Sequence, residues 1–286
     1  MPDQRSRWRR TSVRRIVSRV VVYALLILLS VAFSIPFLWS VSASLKSLDQ
    51  VFKAGVWIPM PIRWTNYKHV FDNIPFHLFF VNSFVVTVAC LIGQLSSASL
   101  VAFSFARLRW FGRDFWFVVM LSTMMLPAVV TMIPHFVFFN YIGWIDTFKP
   151  LIVPSFLGGG AFNIFLLRQF FKTIPLDLED AARIDGCSSF RVLLQIMVPL
   201  AKPALATIAV LSFIGQWNNF IEPLIYLHAY RKFTVAIGIS MFKDAYGMFP
   251  HYMMAASIIA LLPILVLFFA AQRYFVSGIV LTGIKG

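Results

Sequence analysis

Six runs of uncharged, mostly apolar residues divide the chain: 20–45, 78–106, 115–134, 150–167, 203–221 and 252–272. A helix needs about 20 residues to cross roughly 30 Å of hydrocarbon, and each run approaches or exceeds that length. The pattern predicts an all-α integral membrane protein: a single domain over 1–286 with spans at about 20–41, 78–105, 115–136, 150–167, 203–224 and 252–272. The fourth run is the weakest, being short and carrying Pro154 and the triplet Gly158, Gly159, Gly160. Pro127 and Pro134 interrupt the third run, and Pro199 and Pro203 bracket the entry to the fifth. Broken helices are tolerated in membranes where the freed backbone groups are buried or line a cavity, which suits a transport path as well as plain packing kinks.

Between the fourth and fifth runs lies the longest charged passage of the second half, about 175–202. Pro175 opens a short helix, placing Asp177, Glu179 and Asp180 near the positive end of its dipole. Glu179 and Arg183 stand four apart and can pair on one face. Ala181 and Ala182 leave a low surface beside them. Gly186 turns the chain through positive φ, and a second helix follows with Phe190, Leu193, Leu194 and Met197 in one apolar stripe opposite Arg191 and Gln195. Pro199 is expected to end it. A loop lying on lipid needs neither the small alanines nor the fixed glycine. A helix-turn-helix knuckle with a low surface suits the groove of a partner.

Charge adds topology. The chain carries 25 Lys and Arg against 11 Asp and Glu, net +14, but the basic residues alternate with the apolar runs. One side collects seven arginines ahead of the first run, then Arg107, Arg109 and Arg113, then Arg168, Lys172, Arg183, Arg191 and Lys202, and finally Arg273 and Lys285. By the positive-inside rule that side is cytoplasmic, so both termini are expected inside. The basic balance reports orientation and contact with anionic lipid rather than nucleic acid. The arginine pairs ahead of the first run resemble an export signal, yet the uncharged run from Val20 to Leu45 outlasts the roughly 7–15 residues of a signal core, so a retained span is expected. Cys90 lies in a span and Cys187 in the charged passage, so no disulfide is expected. The first outer loop holds Trp57, Trp64, Pro59, Pro61 and Pro75, consistent with a folded cap at the membrane interface.

Candidate chemistry is sparse. The glycine triplet is followed by no Gly-Lys-Ser/Thr, so no phosphate cradle is expected in this chain, and no catalytic pair or metal cluster stands out. Glu222 is the one acid near a span, at an outer end. Ion-coupled carriers keep ionisable residues at mid-membrane, and their lack disfavours that class. In span five Gln216 and Asn219 are three apart on a helical face, with Trp217 and Asn218 beside them. Amides beside an aromatic suit a sugar, whose hydroxyls need donors and acceptors; interhelical hydrogen bonding is the plain alternative. Tyr230, Phe233, Tyr246 and Phe249 mark the segment between spans five and six, where they could anchor to the membrane surface.

The charged passage resembles the EAA loop of ATP-binding-cassette importer permeases: Glu-Ala-Ala, three residues, Gly, nine residues, Ile-x-Leu-Pro. Asp180, Ala181, Ala182, Gly186, Ile196, Val198 and Pro199 fill those positions, aspartate replacing glutamate and valine replacing leucine; Glu179, Arg183 and Asp185 flank them. "TNYKHVF", "FARLRWFGR", "FLLRQFF", "QWNNF", "RYFV" and the terminal "IKG" extend the likeness over nearly the whole chain. It is similar to carbohydrate-type permeases of the class typified by the second maltose permease. The resemblance implies six spans in a prokaryotic cell membrane and an EAA coupling loop between spans four and five. It further implies a heterodimer with a second permease, two separate ATPase subunits that hold the ATP and Mg, and an extracytoplasmic binding protein that delivers sugar for alternating access. On that likeness Glu179, Asp180, Ala181, Ala182, Arg183, Asp185, Gly186, Ile196 and Pro199 couple to the ATPases. Gln216 to Asn219 line the substrate path, Tyr230, Phe233, Tyr246 and Phe249 meet the binding protein, and Gly283 and Lys285 of the 273–286 tail reach the ATPase interface. A glycerol phosphate or polyol permease, or an ion-coupled carrier, are the alternative functions.

Overall fold

The computed structural model describes residues 4–53, 55–244 and 247–282, with side chains described over 17–53, 55–243 and 248–272. In chain order the helices are α1 (Gln4–Ser44), α2 (Leu48–Phe52), α3 (Thr65–Asn73), α4 (Phe76–Arg107), α5 (Arg113–Ser122), α6 (Ala128–Tyr141), α7 (Lys149–Ile152) and α8 (Ala161–Thr173). After them come α9 (Leu176–Ile184), α10 (Ser189–Val192), α11 (Val198–Leu200), α12 (Lys202–Trp217), α13 (Ile221–Tyr226), α14 (Val235–Ser240) and α15 (Pro250–Thr282). A two-residue antiparallel ladder, β1 (Lys243–Asp244) with β2 (Gly247–Met248), is the one departure from the all-α expectation among the described residues. Four helical stretches are long and apolar enough to span a membrane, and six if each of two sharply bent pairs counts as one. The chain divides into two compact units, one holding residues up to Val70 with Lys243–Ile258, the other Phe71–Phe242 with the chain from Ile259.

In the first unit α1 presents a 28-residue apolar stretch, Val17–Ser44, exposed on all sides along its apolar middle. Apolarity on all sides is what lipid contact demands. Ser34 and Ser40 return their hydroxyls to carbonyls one turn back, at 2.7 and 2.8 Å, so these two donors are not left bare in hydrocarbon. The expected cap beyond α1 is built by capture of carbonyls. Buried Asn66 donates both amide hydrogens, to Ser44 and Lys46, each at 2.8 Å. Lys46 is buried in turn, its ammonium donating to the Val56 carbonyl and lying 5.8 Å from the Trp39 ring; burial lowers its pKa.

The second unit is organised around α4. Its small residues face the fourth apolar run, which enters as α7, tightens into a 3₁₀ turn over Val153–Phe156, unwinds through the glycine triplet and resumes as α8. Gly158, Gly159 and Gly160 all have positive φ, of 114°, 70° and 89°. At Gly159 there is also no room, because a Cβ would stand 2.5 Å from the Gln94 carbonyl oxygen. Gly93 likewise lies against Ser155 and Phe156, and Ser97 donates to the Ser155 carbonyl at 3.0 Å. This close contact holds the weak fourth run in place.

Two bends differ in detail from the sequence expectation. The third run turns through 98° at Pro127, where Leu126 takes the extended conformation that a residue before proline favours. Pro134 does not interrupt it; α6 runs past that residue to Tyr141. The fifth run meets the preceding helix at 79°, and the turn falls at Ala201 rather than at Pro199, which lies inside α11.

Candidate coupling site and translocation segments

The charged passage forms a knuckle. α9 ends in a Schellman turn: the Cys187 N–H bonds the Ala182 carbonyl at 2.9 Å and the Gly186 N–H bonds that of Arg183 at 3.0 Å. Gly186 takes φ +81°, and a Cβ there would meet open space, so glycine is required by backbone conformation and not by crowding. Ser188 then caps α10, accepting from the Arg191 N–H at 3.4 Å. Asp177, Asp180, Ala181 and Ile184 fall at i, i+3, i+4 and i+7 and are all exposed, Ile184 to 87%. This outward face combines two acids, a small residue and a bare apolar tip. Asp185 and Gly186 are exposed at its end.

The opposite face of α9 holds Ala182 and Glu179, both buried. Glu179 accepts from Arg183 at 2.7 Å, the pair its spacing predicts, and stands 3.8 Å from Arg107 at the end of α4. Arg107 donates to the carbonyls of Phe171, at 2.6 Å, and Ile174, beyond the end of α8. Arg168, also buried, lies 3.8 Å from the centre of the Phe117 ring and donates to the Phe105 carbonyl at 3.2 Å. In the sequence both arginines count only as topology charges, and no local signal ties Arg107 to α9. Of the two adjacent acids, Glu179 faces in and Asp180 out.

The second helix of the knuckle departs from the expected stripe. Residues Leu193–Met197 form a π turn, which widens the backbone just ahead of Pro199, a residue that cannot donate and whose ring crowds the preceding turn. The extra residue shifts the phase of the helix. Val192, Leu193 and Met197 are therefore buried and Ile196 half-buried, while Phe190, Leu194 and Pro199 are exposed.

Span five also corrects the sequence reading. α12 stops at Trp217, so Gln216 and Asn219 do not share a helical face. Asn219 instead begins the next turn: its amide donates to Glu222 at 2.6 Å and its oxygen accepts the Glu222 N–H at 3.4 Å. Asn218 donates back to the Ile214 carbonyl at 2.9 Å. Trp217 is buried, stacked on Phe213 at 5.6 Å and 9°, edge-on to Phe80, with its indole N–H on the Ala260 carbonyl at 3.0 Å. It offers no ring face to a sugar. Gln216 stays half-exposed at the end of the helix.

Tyr230 is exposed, whereas Phe233 is half-buried against Phe79 and Tyr230 at 6.1 and 5.8 Å. Phe249, in the other unit, is exposed at the start of α15. Tyr246, Gly283 and Lys285 lie outside the described residues. The stretch carrying Tyr230 is braced by Asp146, itself in the left-handed region at φ 59°. One carboxylate oxygen accepts the N–H groups of Ala229 and His228 at 2.8 and 3.0 Å, and the other accepts Lys232 at 2.9 Å. The Ala229 N–H first, then Lys232, lower the Asp146 pKa from 3.8 to about 2. A depressed carboxylate stabilises the fold above its unfolded pKa and loses that effect as pH falls through the folded value. Asp146→Asn should therefore make the 228–233 segment more open to limited proteolysis at pH 7. The difference from the unsubstituted protein should shrink between pH 4 and about pH 2. Equal digestion at pH 7 would show that the brace holds nothing.

Comparison with known proteins settles the family. Residues 97–280 match the family described as the binding-protein-dependent transport system inner membrane component. The chain belongs to that family. This permease is 32% identical over 275 residues to the arabinooligosaccharides transport system permease protein AraQ of Bacillus subtilis, covering 94% of this chain and 97% of the relative. It is 28% identical to the trehalose/maltose transport system permease protein MalG of Thermococcus litoralis, covering 95% and 98%. In fold it matches a chain from the crystal structure of a bacterial ABC transporter involved in import of the acidic polysaccharide alginate. The TM-score is 0.79 at 24% identity, over 96% of this chain and 99% of that one. This permease is thus a multi-pass membrane component of a transport system and not its catalytic subunit.

Proposed function

We propose that this permease carries a sugar or oligosaccharide across a prokaryotic cell membrane as one half of a heterodimeric ABC importer. The relatives named above bear the names of arabinooligosaccharide and trehalose/maltose systems, which supports the substrate class. A second, related permease completes the path, two ATPase subunits bind ATP and Mg, and an extracytoplasmic binding protein delivers the solute. Both termini lie in the cytoplasm, with the knuckle on the same side, a reading that the distribution of basic residues supports.

The observation that carries this reading is the two-faced α9. Its inward acid is neutralised within the chain, by Arg183 at 2.7 Å, while Asp180, Ala181 and Ile184 are left bare on the other face. A bare Asp180 accepts a cationic partner, Ala181 permits close approach and Ile184 fills an apolar pocket. ATP-driven movement of the ATPases shifts the knuckle, and the knuckle moves the spans. Gln216, at the end of α12, and Tyr230, on the exposed outer segment, are the residues of the sequence reading best placed to meet solute and binding protein. Purification of the complex in mild detergent should recover a second permease and an ABC ATPase, identified by mass spectrometry. Uptake into vesicles should require ATP and survive collapse of ion gradients. A chain that purifies alone and transports on an ion gradient would overturn the reading.

A further inference from the structure

We infer that Arg107 is the positioning residue through which the knuckle moves α4, an inference that rests on the coupling role proposed above. Arg107 is the last residue of the 32-residue α4. Its side chain is only 4% exposed, and it faces α8 and α9 at once. Both hydrogens of Nη2 go to backbone carbonyls at the end of α8, that of Phe171 in its last turn at 2.6 Å and that of Ile174 just beyond it. Nε points to Glu179 Oε2 on α9, at 3.8 Å.

The two sides of this clasp differ in kind. Toward α8 the contacts are hydrogen bonds to carbonyls fixed in the backbone, which resist sliding. Toward α9 the contact is a charge pair about 0.6 Å or more longer than a hydrogen bond. Arg107 Nε and Glu179 Oε2 are both buried, and neither has a hydrogen-bond partner among the described residues. Arg183 holds the other carboxylate oxygen, and its side chain is 45% exposed, so it cannot replace Arg107 on the buried side. A charge pair without a directional bond lets α9 tilt by a fraction of an ångström. Pulling it apart would leave the buried Arg107 without an opposite charge and Glu179 Oε2 without its one facing cation, which is unfavourable away from water. The knuckle can therefore pivot on Arg107 but not leave it. A push on Asp180, Ala181 or Ile184 is delivered to α4, and through α4 to α8 and α12, the helices packed along it.

The experiment uses the complete purified complex. Cysteines replace Leu178, exposed on α9 outside its outward face, and fully exposed Phe111, in a background of Cys90→Ser and Cys187→Ser, and carry spin labels for pulsed distance measurement. The unsubstituted clasp should give one narrow distance distribution, with and without Mg-ATP plus vanadate. Arg107→Met should at least double its width while the ATPase subunits remain bound, because the outward face of α9 is untouched. Glu179→Gln, which removes charge and keeps shape, should do the same, and Arg107→Lys should keep the width close to that of the parent. Unchanged width in Arg107→Met or Glu179→Gln overturns the inference, as does loss of bound ATPase in step with loss of folded chain at unchanged width. Should Arg107→Met fail to accumulate, Glu179→Gln decides alone. Absence of any ATPase from the parent complex would instead sink the coupling reading itself, while the widths would still report on the clasp.

Discussion

Gly159→Val is expected to prevent this permease from accumulating in folded form. The residue has φ +70°, and a Cβ built on it stands 2.5 Å from the Gln94 carbonyl oxygen and 2.8 Å from the Ala98 nitrogen. Both atoms belong to the backbone of α4, so no side chain can swing away to make room. Left-handed backbone costs a non-glycine residue about 1–2 kcal/mol, and forced overpacking about 1–3 kcal/mol more. Together these approach a large share of the roughly 5–15 kcal/mol that separates folded from unfolded domains. Gly158→Ala is the control: its φ is also positive, at 114°, but its Cβ meets nothing within 4 Å. It should lose only the backbone part. Fluorescence-detected size exclusion and a thermal melt in detergent would read the two variants, and a Gly159→Val melt as high as that of Gly158→Ala would refute the close approach to α4.

Gly186→Val should leave the fold and remove the function. Nothing crowds Gly186, so the variant meets only the strain of φ +81°, again about 1–2 kcal/mol. The chain can relieve that strain by opening the Schellman turn, and relief then rotates the face of Asp180 and Ala181 away from its direction relative to α10. Since each 1.4 kcal/mol is tenfold in binding, ATPase retention by the purified permease should fall about tenfold or more. Gly186→Asn, which tolerates left-handed backbone, should stay close to the parent. If valine and asparagine retain the ATPase equally, the turn is not what presents the docking face.

The two outcomes correspond to what was legible in the sequence and what was not. Apolar runs are legible because hydrocarbon imposes one simple rule on every residue of a span. The knuckle is legible because Pro175, Gly186 and the Glu179–Arg183 spacing are local signals, and the geometry they predict is present. Pro127 and Pro134 look alike in the sequence, yet only Pro127 follows an extended residue; helix packing made that choice. The shared face of the span-five amides was misread because it assumes a helix running through Asn219, whereas α12 ends two residues earlier, at Trp217. Arg107 was invisible for a different reason. Its partners, Phe171, Ile174 and Glu179, lie more than sixty positions away, and no local pattern encodes such a meeting.

The unwound middle of the fourth run bears on how this permease can be studied. Between the 3₁₀ turn and α8 the chain offers Leu157 and three glycines, and Gly158 and Gly160 line an open cleft with Val101, Trp116 and Ile164. α8 begins at Gly160 with no side chain capping its first turn. Leu157 apart, what this stretch presents to the cleft is backbone, which alanine substitution leaves in place. An alanine scan would register there only strain at positive φ and crowding at Gly159, so backbone chemistry, such as ester replacement of single amides, is the way to read the peptide groups themselves.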